Sequence, residues 1–123
     1  MAASPFVVTA RRLADSPWGR RYARLLAVEC DAPLPDAAAA LEASLARLLP
    51  RVELRPDRLF PRLTGAWLDV LFKDAPPPPN DTERRVRESK AIRAFARRVR
   101  ERREPRLLDA LSAELRTHFL NGS

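Results

Sequence analysis

The chain contains no glutamine, and histidine, cysteine, methionine and tyrosine occur once each. Its three glycines, Gly19, Gly65 and Gly122, stand far apart. A lone Cys30 permits neither an intramolecular disulfide nor a cysteine-based zinc site. Dispersed glycines form no phosphate-cradling loop, and no H-E-x-x-H, C-x-x-C or Walker lysine is present. Asp69 and Asp74 do not make a recognisable metal-binding or acid–base pair. Catalysis normally needs a convergent set of titratable groups. The expectation is therefore a non-catalytic protein with no cofactor, no metal and no small-molecule substrate. No apolar run approaches the roughly 20 residues of a membrane-spanning helix. His118, in the last turn of the last expected helix, reads as a cation placed against the helix dipole.

Lysine is scarce too: only Lys73 and Lys90 among 23 basic side chains. Arginine binds phosphate and carboxylate through two parallel hydrogen bonds and stacks on bases. GC-rich coding would produce the same bias without any function. The net charge is +7, and its layout is more informative than its sum. Residues 1–28 hold five arginines against Asp15, residues 29–80 hold six basic against eight acidic groups, and residues 81–123 hold twelve against seven. Two basic ends flank a slightly acidic middle. Such ends suit RNA, an acidic protein surface or an anionic membrane. The first 28 residues, rich in Arg, Ala and Ser, also share the composition of organelle-import presequences. The competing reading is a basic amphipathic helix. The expected location is intracellular, in the cytoplasm or the mitochondrial matrix.

The pattern of prolines and apolar positions predicts an all-α fold: about five short-to-medium helices in a small orthogonal bundle. Ser4-Pro5 is a helix-start signal, but Phe6-Val7-Val8-Thr9 is β-prone and leaves residues 5–14 as a possible strand or arm. Ser16-Pro17 opens a helix over about 17–30, with Trp18, Tyr22, Leu25 and Leu26 on one face. Gly19 weakens its first turn. A second helix spans about 35–49, with Leu41, Leu45, Leu48 and Leu49 as its stripe and Pro50 as its stop. The small Ala37–Ala40 run would let a neighbour come close. Residues 51–60 read as an extended connector. A third helix, about 61–72, carries Leu63, Trp67, Leu68 and Leu71.

Pro76–Pro79 form a stiff polyproline spacer. Beyond it, residues 80–123 hold a long basic penultimate helix and an amphipathic C-terminal helix, about 105–120, packed with residues 1–75 as one domain. Asn80 and Glu83 have capping-box spacing. Ala91, Ile92, Phe95, Ala96 and Val99 fall on one face. Glu83–Arg87 and Arg97–Glu101 have i,i+4 spacing. The apolar stripe covers only the middle of this helix, so both of its arginine-rich ends are expected to project charge. Only Glu104-Pro105 separates the last two helices, which predicts a hairpin or corner bringing Ile92, Phe95 and Val99 against Leu108, Leu111 and Leu115. Asn121-Gly122 is a C-cap signal.

The function expected from these features is a binding or structural subunit of a larger assembly, contacting RNA phosphates within a ribonucleoprotein. The candidate phosphate-binding residues are Arg84, Arg85, Arg87, Arg93, Arg97, Arg98, Arg100, Arg102 and Arg103, joined by Arg20, Arg21 and Arg24. Two alternatives stand beside it. One is an accessory subunit of a mitochondrial or membrane-associated complex, motivated by the N-terminal composition and the narrow apolar stripes. The other is a DNA-binding regulator with the basic helix as reader. That helix is long for the role, follows four prolines instead of a tight turn, and carries no Gln for base reading.

Overall fold

The computed structural model describes residues 4–120, and it is all-helical. Six α-helices follow one another: α1 (Pro5–Asp15), α2 (Pro17–Glu29), α3 (Leu34–Leu48), α4 (Leu59–Phe72), α5 (Asp81–Glu101) and α6 (Leu107–Phe119). Short 3-10 turns at Leu49–Arg51 and Pro56–Arg58 lie between α3 and α4. The Asn121-Gly122 signal falls outside the described residues.

The sixth helix, beyond the expected five, is α1. Its β-prone Phe6-Val7-Val8-Thr9 is helical because local propensity yields to capping and burial. Ser4 Oγ accepts the Phe6 N–H at 3.2 Å, Pro5 occupies the first turn, and Ala10 and Ala14 are buried. Ser16 serves two helices. Its N–H closes the end of α1 on the Leu13 carbonyl, and its Oγ accepts the Gly19 N–H at 3.1 Å to open α2. Gly19, which the sequence marks only as a weak helix former, is required there. A Cβ at this position would collide with the Leu13 and Ala14 carbonyl groups.

The end of α2 is a Schellman motif. The Ala32 N–H reaches the Ala27 carbonyl at 3.0 Å, with Asp31 in the left-handed region at φ 50°. Pro50 does not stop the chain outright, since a 3-10 turn carries it through Arg51. Asn80 caps α5 by accepting the Glu83 N–H at 2.8 Å. Only that half of the capping box forms, because the Glu83 carboxylate turns instead to Arg87.

The core draws on residues from both sides of the proline run. Tyr22 sits at its centre, fully buried, with its ring 4.8 Å from Phe60 and 5.6 Å from Phe95. The Tyr22 hydroxyl and Thr64 Oγ1 hydrogen-bond at 2.7 Å. Burial pushes the Tyr22 phenol far above its ordinary range, so it stays a neutral hydrogen-bonding group.

α3 is contacted by α1, α2 and α6, and α5 by α2, α4 and α6. α6 lies mainly along α3 and meets α5 over a smaller area, so the expected hairpin of the last two helices is only part of its packing. The five positions of the α5 apolar stripe are all buried, as their spacing implies. In α4 the burial is displaced toward the N-terminus. Leu59, Phe60, Leu63 and Thr64 are buried, whereas Trp67 and Leu68 are half-buried and Leu71 is 44% exposed. The stripe read from sequence is real, but its second half extends past the core.

Candidate nucleic-acid interface

The inner face of α5 is fixed by Ala91, Ile92, Phe95, Ala96 and Val99, all buried. At about 100° per residue, the opposite face carries Lys90, Arg93, Arg97 and Arg100, spaced three, four and three residues apart. At 1.5 Å rise per residue the four cations span roughly 15 Å. All four are exposed. The structure brings this row together and leaves several other candidate arginines elsewhere.

Arg93 and Arg100 are steadied by one acid. Glu29, at the end of α2 and only 12% exposed, lies 3.8 Å from Arg93 Nε and 3.2 Å from Arg100 Nη1. One carboxylate between two five-donor guanidinium groups leaves most of their N–H groups free for a further anion. Lys90 and Arg97 form no ion pair among the described residues, and the same holds for exposed Arg85 and Arg103.

A second group is committed to the fold. Arg21 Nη1 meets Glu88 at 3.1 Å, Nη2 lies 3.4 Å from Ser89 Oγ, and its guanidinium stacks over Trp18 at 5.1 Å. Arg87 is only 14% exposed. It lies over Phe72 at 5.1 Å, donates to the Pro76 carbonyl at 2.7 Å, and pairs with Glu83. Arg102 donates to the nearly buried Glu114 at 2.9 Å and to Thr117 Oγ1 at 2.8 Å. Arg87 and Arg102 thus tie both ends of α5 to the bundle, so the helix is not a rod held only by its middle. Arg84 and Arg98 make exposed local pairs with Asp81 and Glu101. For Glu101 the partner is the i,i+3 residue and not the i,i+4 Arg97.

Arg20 and Arg24 lie on the other flank of α2 from Arg21. There they line a groove with Asp15, Leu34 and Ala38. The N-terminal arginines therefore do not extend the α5 row as a single surface.

No exposed aromatic accompanies that row, because the one aromatic of α5, Phe95, is buried. The arrangement can hold a line of phosphates or carboxylates and offers no platform for base stacking. Cys30, under the same face, donates weakly to the Ala96 carbonyl at 3.8 Å. Burial is the main cause raising its pKa, so it remains a thiol and not a reactive thiolate. Among the described residues, no three of His, Cys, Asp and Glu converge to hold a metal ion. No described helix is long and apolar enough to cross a membrane.

Sequence reading missed Glu29 and Glu114. Each meets its arginine from another helix, and no local spacing announces such pairs. No family model, curated protein or solved structure matches the chain.

Proposed function

We propose that this protein is a non-catalytic RNA-binding subunit of a ribonucleoprotein, docking the outer face of α5 on backbone phosphates. The observation that supports the reading best is the exposed row of Lys90, Arg93, Arg97 and Arg100, with Glu29 as its only countercharge from another helix among the described residues. Contact through phosphates alone makes the binding indifferent to base sequence and steep in salt. The test is fluorescence anisotropy of the full chain with labelled single-stranded and duplex RNA, and with duplex DNA, across a salt series. The expected result is RNA affinity that falls steeply with salt and depends little on sequence. Absent or salt-independent RNA binding sinks the reading. Tighter binding to duplex DNA would favour a DNA-binding regulator.

A specific observation supports a second reading, an accessory subunit of a larger protein complex in the mitochondrion or at a membrane. Val70 is 70% exposed and Leu71 44%, continuing the core-facing stripe of α4 beyond the bundle. A partner covering this end would complete the core. Purification from the native source separates the readings, since RNA accompanies the protein in one case and other protein subunits in the other.

A further inference from the structure

A pocket of about 330 Å³ opens between the α3–α4 connector, α4 and the end of α6, and α5 contributes nothing to it. Its volume is at the small end of ordinary ligand sites. Val52, Leu54 and Phe119 supply apolar wall. Arg51, Arg62 and His118 line the same space, and Glu53 is the only acid among the lining residues. Arg51 and Arg62 are exposed and take part in no ion pair among the described residues.

The three half-buried arginines are matched, so the unpaired pair at this pocket belongs to its exposed rim. Arg21, Arg87 and Arg102 each have an acid within 3.3 Å. Two arginines lining one cavity from separate elements, with a single glutamate among the lining residues, leave an excess of positive charge beside an apolar wall. Guanidinium groups recognise carboxylate and phosphate through paired N–H donors. An apolar wall with a few convergent polar groups is the usual build of a small-molecule site.

We propose that this pocket binds a small organic anion, a carboxylate or phosphate monoester carried on an apolar or aromatic body. Arg51 and Arg62 hold the anionic head, and Val52, Leu54 and Phe119 cover the body. The site is separate from the α5 row, so failure of RNA binding leaves it standing and its own failure leaves the RNA reading standing. His118 is a built-in reporter. Its pKa is lowered, first by burial and then by Arg62, with Glu114 acting in the opposite direction. A bound anion beside Arg62 offsets that repulsion and raises it.

The experiment follows the His118 imidazole resonances of the full chain by NMR, unambiguous because the chain has one histidine. The probes are phenyl phosphate and benzoate, with inorganic phosphate and benzyl alcohol as half-ligand controls. The expected result is a saturable shift and a raised His118 pKa with phenyl phosphate or benzoate. The stronger of the two identifies the head group. Arg51→Gln and Arg62→Gln each weaken that binding by about tenfold, the loss of one charge-assisted hydrogen bond. Both side chains are exposed, so unchanged melting of the variants at about pH 7.5, above the ordinary histidine range, certifies the fold. Three results overturn the proposal. The first is no saturable shift with either probe up to about 10 mM, ten times a Kd of about 1 mM. The second is binding that survives both substitutions. The third is inorganic phosphate binding as tightly as phenyl phosphate.

Discussion

Tyr22 and Thr64 share a 2.7 Å hydrogen bond at the centre of the apolar core, joining α2 to α4 across 42 residues of sequence. Both are essentially excluded from solvent. Removing one partner leaves the other buried and unpaired, which costs more than the bond contributes. Tyr22→Phe is expected to lose about 1–3 kcal/mol in urea unfolding. Tyr22→Phe with Thr64→Val should lose clearly less than the sum of the two single changes, by about 0.5–3 kcal/mol in a double-mutant cycle. Additivity would show that the two hydroxyl groups are satisfied independently.

Arg102 and Arg103 are neighbours with opposite roles. Arg102 neutralises Glu114, whose side chain is 7% exposed. Arg103 holds no acid among the described residues, and just past the Arg102 C-cap its φ of 53° is a left-handed conformation that costs a non-glycine residue energy. Arg102→Ala is expected to destabilise the fold by about 2–4 kcal/mol, since it leaves a buried carboxylate uncompensated. Arg103→Gly is expected to stabilise it by about 0.5–1 kcal/mol. Chemical denaturation of the two variants checks both signs, and equal losses would refute the division of labour.

The Ser16 elbow gives a third prediction. Gly19 lets the start of α2 pass against the end of α1, where a Cβ would strike carbonyl groups that cannot swing aside. Gly19→Ala improves helix propensity by about 1 kcal/mol, and in an open helix it would stabilise. Here steric strain wins, and a net loss of about 2–4 kcal/mol is expected in thermal or urea unfolding. The same change at Gly65, where nothing lies within 4 Å of the added carbon, should stabilise the protein. A gain at Gly19 would show that the elbow relaxes freely.

These positions show where sequence reading succeeds. Spacing alone identifies Ala91, Ile92, Phe95, Ala96 and Val99 as the buried face of α5, because period and burial agree along one helix. Asn80 and Ser16 reveal helix starts because a cap bonds within three residues. The end of burial along α4 is not local information. Leu63 and Leu71 share a stripe, yet only Leu63 is under the bundle. The surface charge is equally non-local. The twelve candidate arginines look alike in sequence, and partners such as Glu88, 67 residues from Arg21, separate the committed from the available ones.

His118 predicts a pH dependence. Its folded pKa lies below the ordinary 6.5, owing first to burial and then to Arg62, with Glu114 opposing. As pH falls, the unfolded chain takes up the proton before the folded one. Stability is therefore fully present above about pH 6.5 and declines as pH drops from there to the folded pKa, below which the loss is constant. His118→Gln removes this component. The difference in urea midpoints between wild type and variant should grow in the variant's favour as pH falls from about 7.5 to 5. Arg62→Gln removes the second cause and should reduce the wild-type slope. A difference that is flat with pH would contradict the assigned cause.

The proposed RNA surface is tested by choosing cations according to their partners. Lys90 and Arg97 are exposed on the outer face of α5 and carry no ion pair among the described residues, so neutralising them leaves the fold intact. Lys90→Gln and Arg97→Gln should each weaken RNA binding uniformly across sequences and reduce the slope of log affinity against log salt by about one. Arg24→Gln removes the same unit of charge from the far flank of α2 and should leave the slope unchanged. Arg93 and Arg100 are poor first choices, because removing either changes how Glu29 holds the other. If Arg24→Gln costs as much as Arg97→Gln, binding follows net charge alone and the α5 row is not the site. If only Lys90 and Arg97 matter, the row formed by burying Ile92, Phe95 and Val99 on one side of α5 is the surface that meets the phosphates.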